Sequence, residues 1–361
     1  MKVLVLGGTG AMGVHLVDLL AQKASRVVVT SRSKAGQLGN VQYLKGDAQD
    51  ELFLRGLLSE TWDAIIDFMV YPTSVFKQRY QQFLNATGHY IYLSSARVYA
   101  QSPTPITEDS PRLLDVCTDK DYLATDEYAL SKARQENLLL DANSSNWSIV
   151  RPYITFSAQR LQLGVQEKED WLYRALNGRT ILDSKDIQSK RTTLTYGLDV
   201  ANGIQALVGA PGAHGQAFHI TANTSLAWSD VLRVYLQVLQ THLGSKPEVV
   251  LQAMDEFTRW RSGKYQILYD RLYNREFDNS KIRRFVDTSH FTDPLSGLAQ
   301  CLEQFLTAPS FLAINWRVEA TKDRMLAEHT PFKAIPGCKN AAKYWLFRHT
   351  PLATLLQHKY Q

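Results

Sequence analysis

Through the first 150 residues, short apolar runs alternate with stretches of helical spacing. Residues 3–6 are four apolar residues in a row, the length and pattern of a strand buried on both faces. Residues 11–22 then place apolar side chains at helical intervals. The β-branched run at 26–30 predicts a second strand, and residues 41–45, 64–68, 89–93 and 147–151 predict four more. Helices are expected over 50–59 and 75–86, and another carries Tyr128 and Lys132. Strands and helices in this alternation predict a parallel, doubly wound α/β sheet. From about residue 152 the pattern loosens. Helical spacing at 167–177, 200–209 and 228–243 is interleaved with short strands at 180–182, 192–196 and 217–220. That predicts a smaller, mixed α/β lobe, the place for a substrate cap at the sheet's mouth. The expected division is 1–151 for the sheet domain, with later strands returning to it, 152–306 for the smaller lobe interleaved with the sheet, and 307–361 for a helical, basic–aromatic extension.

The turn after the first strand reads Gly7-Gly8-Thr9-Gly10-Ala11-Met12-Gly13. Gly8, Gly10 and Gly13 fit G-x-G-x-x-G, and Gly7, Gly10 and Gly13 fit G-x-x-G-x-x-G. Strand, glycine turn and helix in that order are the context of a dinucleotide-binding Rossmann unit. The first glycine permits the tight turn, and the middle one lets the backbone approach a pyrophosphate. The last lets the helix pack closely, with its positive end toward the phosphates. Gly7, Thr9, Gly10, Ala11, Met12 and Gly13 are therefore candidate cofactor contacts. Many NAD-binding units place a carboxylate near the end of the second strand for the ribose 2′-hydroxyl. This chain has Ser31 and Arg32 there. A carboxylate would repel a 2′-phosphate and a guanidinium would hold it in a forked contact, so NADP is favoured over NAD. Asp47, after the third strand, would accept a hydrogen bond from the adenine amino group or serve as a turn residue. Ala48 beside it and Phe68 at the end of the fourth strand join the expected cofactor set, which also takes in Tyr128 and Lys132.

Composition narrows the classes. A chain of 361 residues, 45% hydrophobic and 21% charged, can bury a large core and is neither disordered nor collagen-like. Cys117, Cys301 and Cys338 stand far apart with no C-x-x-C and no His cluster, so neither a disulfide framework nor a metal is expected. The first strand begins too early for a signal peptide, and no apolar run reaches membrane-spanning length, so a cytoplasmic protein is expected. The formal charge of +5 resides in residues 331–361, which hold Lys333, Lys339, Lys343, Arg348 and Lys359 and no acid. The rest of the chain is formally neutral and gives no sign of a nucleic-acid partner. Residues 341–349 interleave Tyr344, Trp345, Leu346 and Phe347 with Lys343 and Arg348. Such a segment suits docking on the protein's own body, or peripheral contact with an anionic membrane or a partner.

Two further constellations carry chemistry. Ser94-Ser95 closes the fifth strand, at the carboxyl end of the sheet where such folds bind ligands. Tyr128 and Lys132 lie four apart, on one face of their helix, with Thr125 or Asp126 as candidate cap. With the glycine loop, Ser95 in Ser-Ala-Arg-Val-Tyr, and the Tyr128–Lys132 pair in this order, the chain resembles the extended short-chain dehydrogenase/reductases of the NAD-dependent epimerase/dehydratase group. Arg151-Pro152-Tyr153, Leu194-Thr195-Tyr196 through Asp199-Val200-Ala201, Phe218-His219-Ile220 and Asp278-Asn279-Ser280-Lys281 resemble later motifs, and the likeness spans about residues 1–306.

The resemblance implies that Tyr128, Lys132 and Ser95 act together. A tyrosine with a pKa of about 10 is a poor base at neutral pH. A neighbouring ammonium and the positive nicotinamide ring favour its phenolate. Tyr128 would thus be the acid/base, Lys132 its tuner and a holder of the nicotinamide ribose, and Ser95 the donor to the substrate oxygen. Tyr153 and Arg191 are the implied substrate contacts, and a homodimer through two long helices is the implied assembly. The substrate implied is a sugar, as a rule nucleotide-linked. The chain departs from the family pattern after Arg151: Pro152-Tyr153-Ile154-Thr155-Phe156-Ser157 contains no Asn, Arg191 lies one place off the usual spacing, and Ala100 replaces a frequent glycine. Three readings stay open: a sugar oxidoreductase or epimerase, an NADPH-dependent keto-sugar or other carbonyl reductase, and a non-catalytic module that senses a dinucleotide or binds RNA.

Overall fold

The computed structural model describes residues 1–350. The chain forms two units. The first holds Met1–Ser157, Thr193–Ser225 and Arg275–Pro294; the second holds Ala158–Thr192, Leu226–Asn274 and the chain from Leu295 onward.

The first unit is built on an eight-stranded sheet of β1 (Lys2–Leu6), β2 (Arg26–Ser31), β3 (Gly36–Leu38), β4 (Val41–Lys45), β5 (Ala64–Asp67), β6 (Tyr90–Leu93), β7 (Trp147–Pro152) and β8 (Gln216–Ile220). Their order is β8-β7-β6-β5-β1-β2-β4-β3. Every neighbouring pair is parallel except β3 with β4. Helices α1 (Gly13–Ala21), α2 (Glu51–Leu57), α3 (Thr73–Ala86), α4 (Tyr128–Leu140) and α5 (Gly197–Leu207) flank the sheet. Alternate side chains of one strand enter opposite cores. Val3 and Val5 join Leu16, Val29, Ile204 and Phe218, whereas Leu4 and Leu6 join Val28, Phe76, Tyr90 and Trp147. Both faces are covered, which is why the strands read as unbroken apolar runs. The six expected strands all form. The polar edge strand β3 is fully exposed and has no apolar pattern to betray it.

The strand order reverses between β1 and β5, which opens a crevice at the carboxyl ends of the strands. In register, Leu6 sits beside Asp67 and Val5 beside Val29, so the turn after β1 emerges next to the ends of β5 and β2. The returning segment is pinned by Asn279, whose amide donates to the Thr221 carbonyl at 2.8 Å while its oxygen accepts from the Thr221 hydroxyl at 3.1 Å. That is the structural role of Asp278-Asn279-Ser280-Lys281.

The second unit is mainly helical, with Lys168–Leu176, Trp228–Leu243, Trp316–Met325 and Cys338–His349, and holds two small strand pairs. Trp171 and Tyr235 stack at its centre, with ring centroids 4.6 Å apart. The apolar pattern predicts a helix over 311–328, but the helix is shorter: Asn315 caps its start, and Ala327 leaves it in the left-handed region at φ 54°. Tyr344 of the basic–aromatic segment is buried and donates to Asp323 at 2.6 Å. The remainder of that segment, residues 351–361, lies outside the described residues. Cys117, Cys301 and Cys338 are free thiols, and no described helix is long and apolar enough to cross a membrane.

Candidate active site

Gly7 takes the turn out of β1 with φ +74°, a conformation L side chains avoid, and its N–H donates to the Thr30 hydroxyl at 2.9 Å. Gly7 rather than Gly8 is thus the first glycine of the motif. At Gly13 the constraint is contact: a Cβ there would lie 2.6 Å from the Gly8 carbonyl carbon, so only glycine lets α1 approach the turn. A Cβ on Gly10 would meet no protein atom within 4 Å. Met12 ends the loop and supplies no side-chain cap to α1. The partial positive charge of the helix start is left for an anion.

Beside this loop lies a cleft of about 330 Å³, lined by Gly7, Thr9, Thr30, Ser31, Arg32, Gly46, Asp47, Ala48, Gln49, Phe68, Met69 and Val70. The structure thus gathers seven of the expected cofactor residues, and Gly10, Ala11, Met12 and Gly13 follow in the adjoining loop. Ser31 is buried, and its hydroxyl accepts from the N–H groups of Ser33 and Lys34 at 3.3 and 3.1 Å. Those bonds fold the chain back after β2 and leave Arg32 exposed on the rim, with no ion pair among the described residues. Asp47 folds its own turn, accepting from the Gln49 N–H at 2.9 Å. A glycine cradle, an uncapped helix start and a polar cleft with a cation at its rim fit an adenine dinucleotide.

Ser95 is buried just past the end of β6, and its Oγ accepts from the Arg97 N–H at 3.2 Å. Tyr128 opens α4 and is half-buried, with the Arg97 guanidinium 5.2 Å from its ring centre. Arg97 in turn pairs with Glu127 at 2.6 Å. Neither Thr125 nor Asp126 caps α4. Glu127 does so, accepting from the Ala129 N–H at 2.8 Å, while Asp126 binds the backbone and hydroxyl of Thr73 at 2.9 and 2.6 Å. One turn further along α4, Lys132 is buried. Its Nζ donates to the Leu93 carbonyl at 2.6 Å and lies 4.6 Å over the Tyr92 ring. Burial lowers its pKa to about 8, against the pull of Asp67 and Glu136.

Buried acids brace this corner. Asp67 accepts from the Tyr90 hydroxyl at 2.8 Å and the Met69 N–H at 2.9 Å, and burial pushes its carboxyl up to about 6. Glu136, also on α4, takes a forked pair of bonds from Arg151 at 2.8 Å each, and bonds from Arg112 at 3.1 Å and Ser94 at 2.5 Å. Burial opposes its ionisation, but these cations and the Ser94 hydroxyl hold it below the usual carboxylate range. The network fixes α4 to β6 and β7, and so sets where Tyr128 and Lys132 stand. Tyr153 follows β7 in the same unit, buried, with its ring 5.4 Å from that of Phe277. Arg191 belongs to the second unit; it is exposed on a two-residue strand paired with Leu226–Ala227.

A family model, the NAD dependent epimerase/dehydratase family, matches residues 3–221, more than half of the chain. The chain belongs to this family. It is 26% identical over 239 residues to the chloroplast stem-loop binding protein of 41 kDa b of Arabidopsis thaliana, covering 61% of this chain and 58% of that one. It is 31% identical over 134 residues to the UDP-glucose 4-epimerase of Lactobacillus helveticus, covering 31% of this chain and 41% of that one. It thus spans about half the length of the curated relatives it matches. Among solved structures it resembles the Bordetella bronchiseptica enzyme WbmH in complex with NAD⁺, at a TM-score of 0.63 and 18% identity, over 86% of this chain and 99% of that one.

Several site residues of this family member lay beyond sequence reasoning. A Cβ on Gly197, the first residue of α5, would lie 2.2 Å from the Ala11 carbonyl oxygen, so this distant glycine shapes the glycine loop. Thr30, Asp67 and Glu136 likewise act through partners far along the chain. The one legible trace was polarity: an Asp closing an apolar strand and a Glu on the buried face of α4.

Proposed function

We propose that the chain is an NAD(P)-dependent oxidoreductase or epimerase of a sugar, most simply a nucleotide-linked one. The observation that carries this reading is Lys132. A buried ammonium is tied to the end of β6 one turn from Tyr128, and the chemistry of Tyr128 needs a cation there. A bound nicotinamide dinucleotide supplies hydride exchange at the substrate carbon. Tyr128 gives or takes the proton at the substrate oxygen through its phenol. Lys132 is largely protonated at neutral pH and favours the phenolate. Ser95 donates to the same oxygen as charge develops on it. The epimerase among the relatives and the NAD⁺ in the WbmH complex support the substrate and cofactor classes. Arg32 on the cleft rim supports NADP within the second form of this reading, a keto-sugar reductase.

The test is to denature the purified protein, identify the released dinucleotide by mass spectrometry, and assay Tyr128→Phe. Dinucleotide should be retained while turnover falls by about two to four orders of magnitude. Full turnover in that variant would remove Tyr128 from the mechanism. Stoichiometric NAD⁺ would favour epimerisation and refute the reading of Arg32. A second reading, binding of a structured RNA, is favoured by the likeness to a stem-loop binding protein of Arabidopsis thaliana. Retention of a stem-loop RNA by the Tyr128→Phe protein, with no turnover of any sugar by the parent, would select it.

A further inference from the structure

The helix Cys338–His349 is anchored on one side and bare on the other. Inward, Tyr344 is buried against Trp316, and its hydroxyl donates to Asp323 and accepts from the Thr330 N–H at 2.8 Å. Outward, Lys339 and Lys343 are exposed beside Trp345 at 50% and Leu346 at 36% exposure. Phe332, on the preceding turn, is 49% exposed, with its ring 6.4 Å from that of Tyr344. Lys333, Lys339 and Lys343 form no ion pair among the described residues, and no Asp or Glu occurs from residue 331 to the end of the sequence.

We propose that this face binds the surface of an anionic phospholipid bilayer. Trp345 and Leu346 are exposed on the same helix as Lys339 and Lys343, a helix held in place by its inner side, and a third apolar side chain, Phe332, is exposed on the turn before it. Water solvates the lysines but not Trp345, Leu346 and Phe332. At a bilayer interface the aromatic and aliphatic groups leave water while the ammonium groups meet anionic headgroups. A nucleic-acid backbone would satisfy the lysines and leave Leu346 without a partner. The helix is pinned through Tyr344, so binding orders no loose segment. The patch is small, and the contact is reversible and salt-sensitive.

The experiment is flotation of the full-length protein with phosphatidylcholine vesicles with and without phosphatidylserine. The protein should float only with phosphatidylserine and be released by salt. Trp345→Ala combined with Phe332→Ala should weaken binding by about tenfold. Lys339→Glu combined with Lys343→Glu should weaken it by about a hundredfold. All four side chains are exposed, so each variant should keep the parent's unfolding temperature, which separates loss of binding from loss of fold. No flotation of the folded parent, equal flotation on neutral vesicles, or unchanged binding by both variants would overturn the proposal. Capture of a stem-loop RNA through Lys339 and Lys343, without vesicle binding, would overturn it as well.

Discussion

Asp183 is fully buried and forms no ion pair among the described residues; the amides of Gln188 and Gln166 donate to its carboxylate. Burial pushes its carboxyl up to about 7. The sign follows from linkage. Below about pH 4 the group is protonated folded and unfolded, and its full contribution to stability is present. As pH rises toward 7 the unfolded chain ionises first, and stability falls by on the order of 4 kcal/mol across that window. Asp183→Asn removes the window, and its amide can donate to the Gln188 Oε1, which is buried without a partner. The variant's gain in melting temperature over the parent should be small at pH 5 and grow by several degrees at pH 8. An equal gap at both pH values would show that Asp183 does not titrate with folding. Lys132 makes the complementary case for activity. Turnover should decline as pH rises through about 8, where Lys132 loses its proton, and Lys132→Met should abolish turnover across the whole range. The Tyr128–Lys132 pair was legible because helical spacing is local. The ionisation of Asp183 was not, because it depends on burial by residues distant in sequence.

At the scale of elements, period and punctuation made the parallel strands and α1 readable, since continuous apolar runs and a glycine turn carry their own signature. The edge strand β3 lacks that signature. The caps were misread because Asp126 serves α3 rather than its own helix, a choice that tertiary packing makes. The glycines test the division between local and distant causes. A Cβ on Gly10 meets nothing within 4 Å, whereas one on Gly197 runs into the Ala11 carbonyl. Gly10→Ala should therefore melt like the parent but bind dinucleotide at least tenfold more weakly, because the added methyl enters space the backbone leaves for phosphate. Gly197→Ala should lower both melting temperature and affinity, since α5 or the loop must move. Calorimetric melting and dinucleotide titration of the two variants separate these outcomes, and a melting loss in Gly10→Ala would refute the open-space account.

At the scale of the molecule, the region beyond residue 310 is more than an appendage of the second unit. Arg174, fully buried, meets Glu319 at 2.9 Å, Asp323 at 2.8 Å and Glu328 at 2.5 Å. Arg179 adds Glu319 at 3.0 Å and the Thr330 hydroxyl at 2.6 Å. Lys322 closes the set on Glu319 at 3.1 Å and the Asp170 carbonyl at 2.7 Å. All the acids come from residues 319–328 and both arginines from residues 174–179, so hydrophobic periodicity says nothing of the match. Such a network is weak evidence of net stabilisation, but removing one partner is costly, because the other charge stays buried. A chain ending before Trp316 would leave Arg174 and Arg179 without their carboxylates. Asp323→Ala does the same in part and should destabilise by about 3–5 kcal/mol, whereas Tyr344→Phe, which removes two hydrogen bonds and leaves the Thr330 N–H unpaired, should cost about 2 kcal/mol. The truncated chain should lose the cooperative unfolding of the second unit while the sheet unit keeps its dinucleotide. If it instead melted as the full chain does, the ion network would be an ornament on a lobe stable without it, and the helices beyond residue 310 would have to be explained by what binds them.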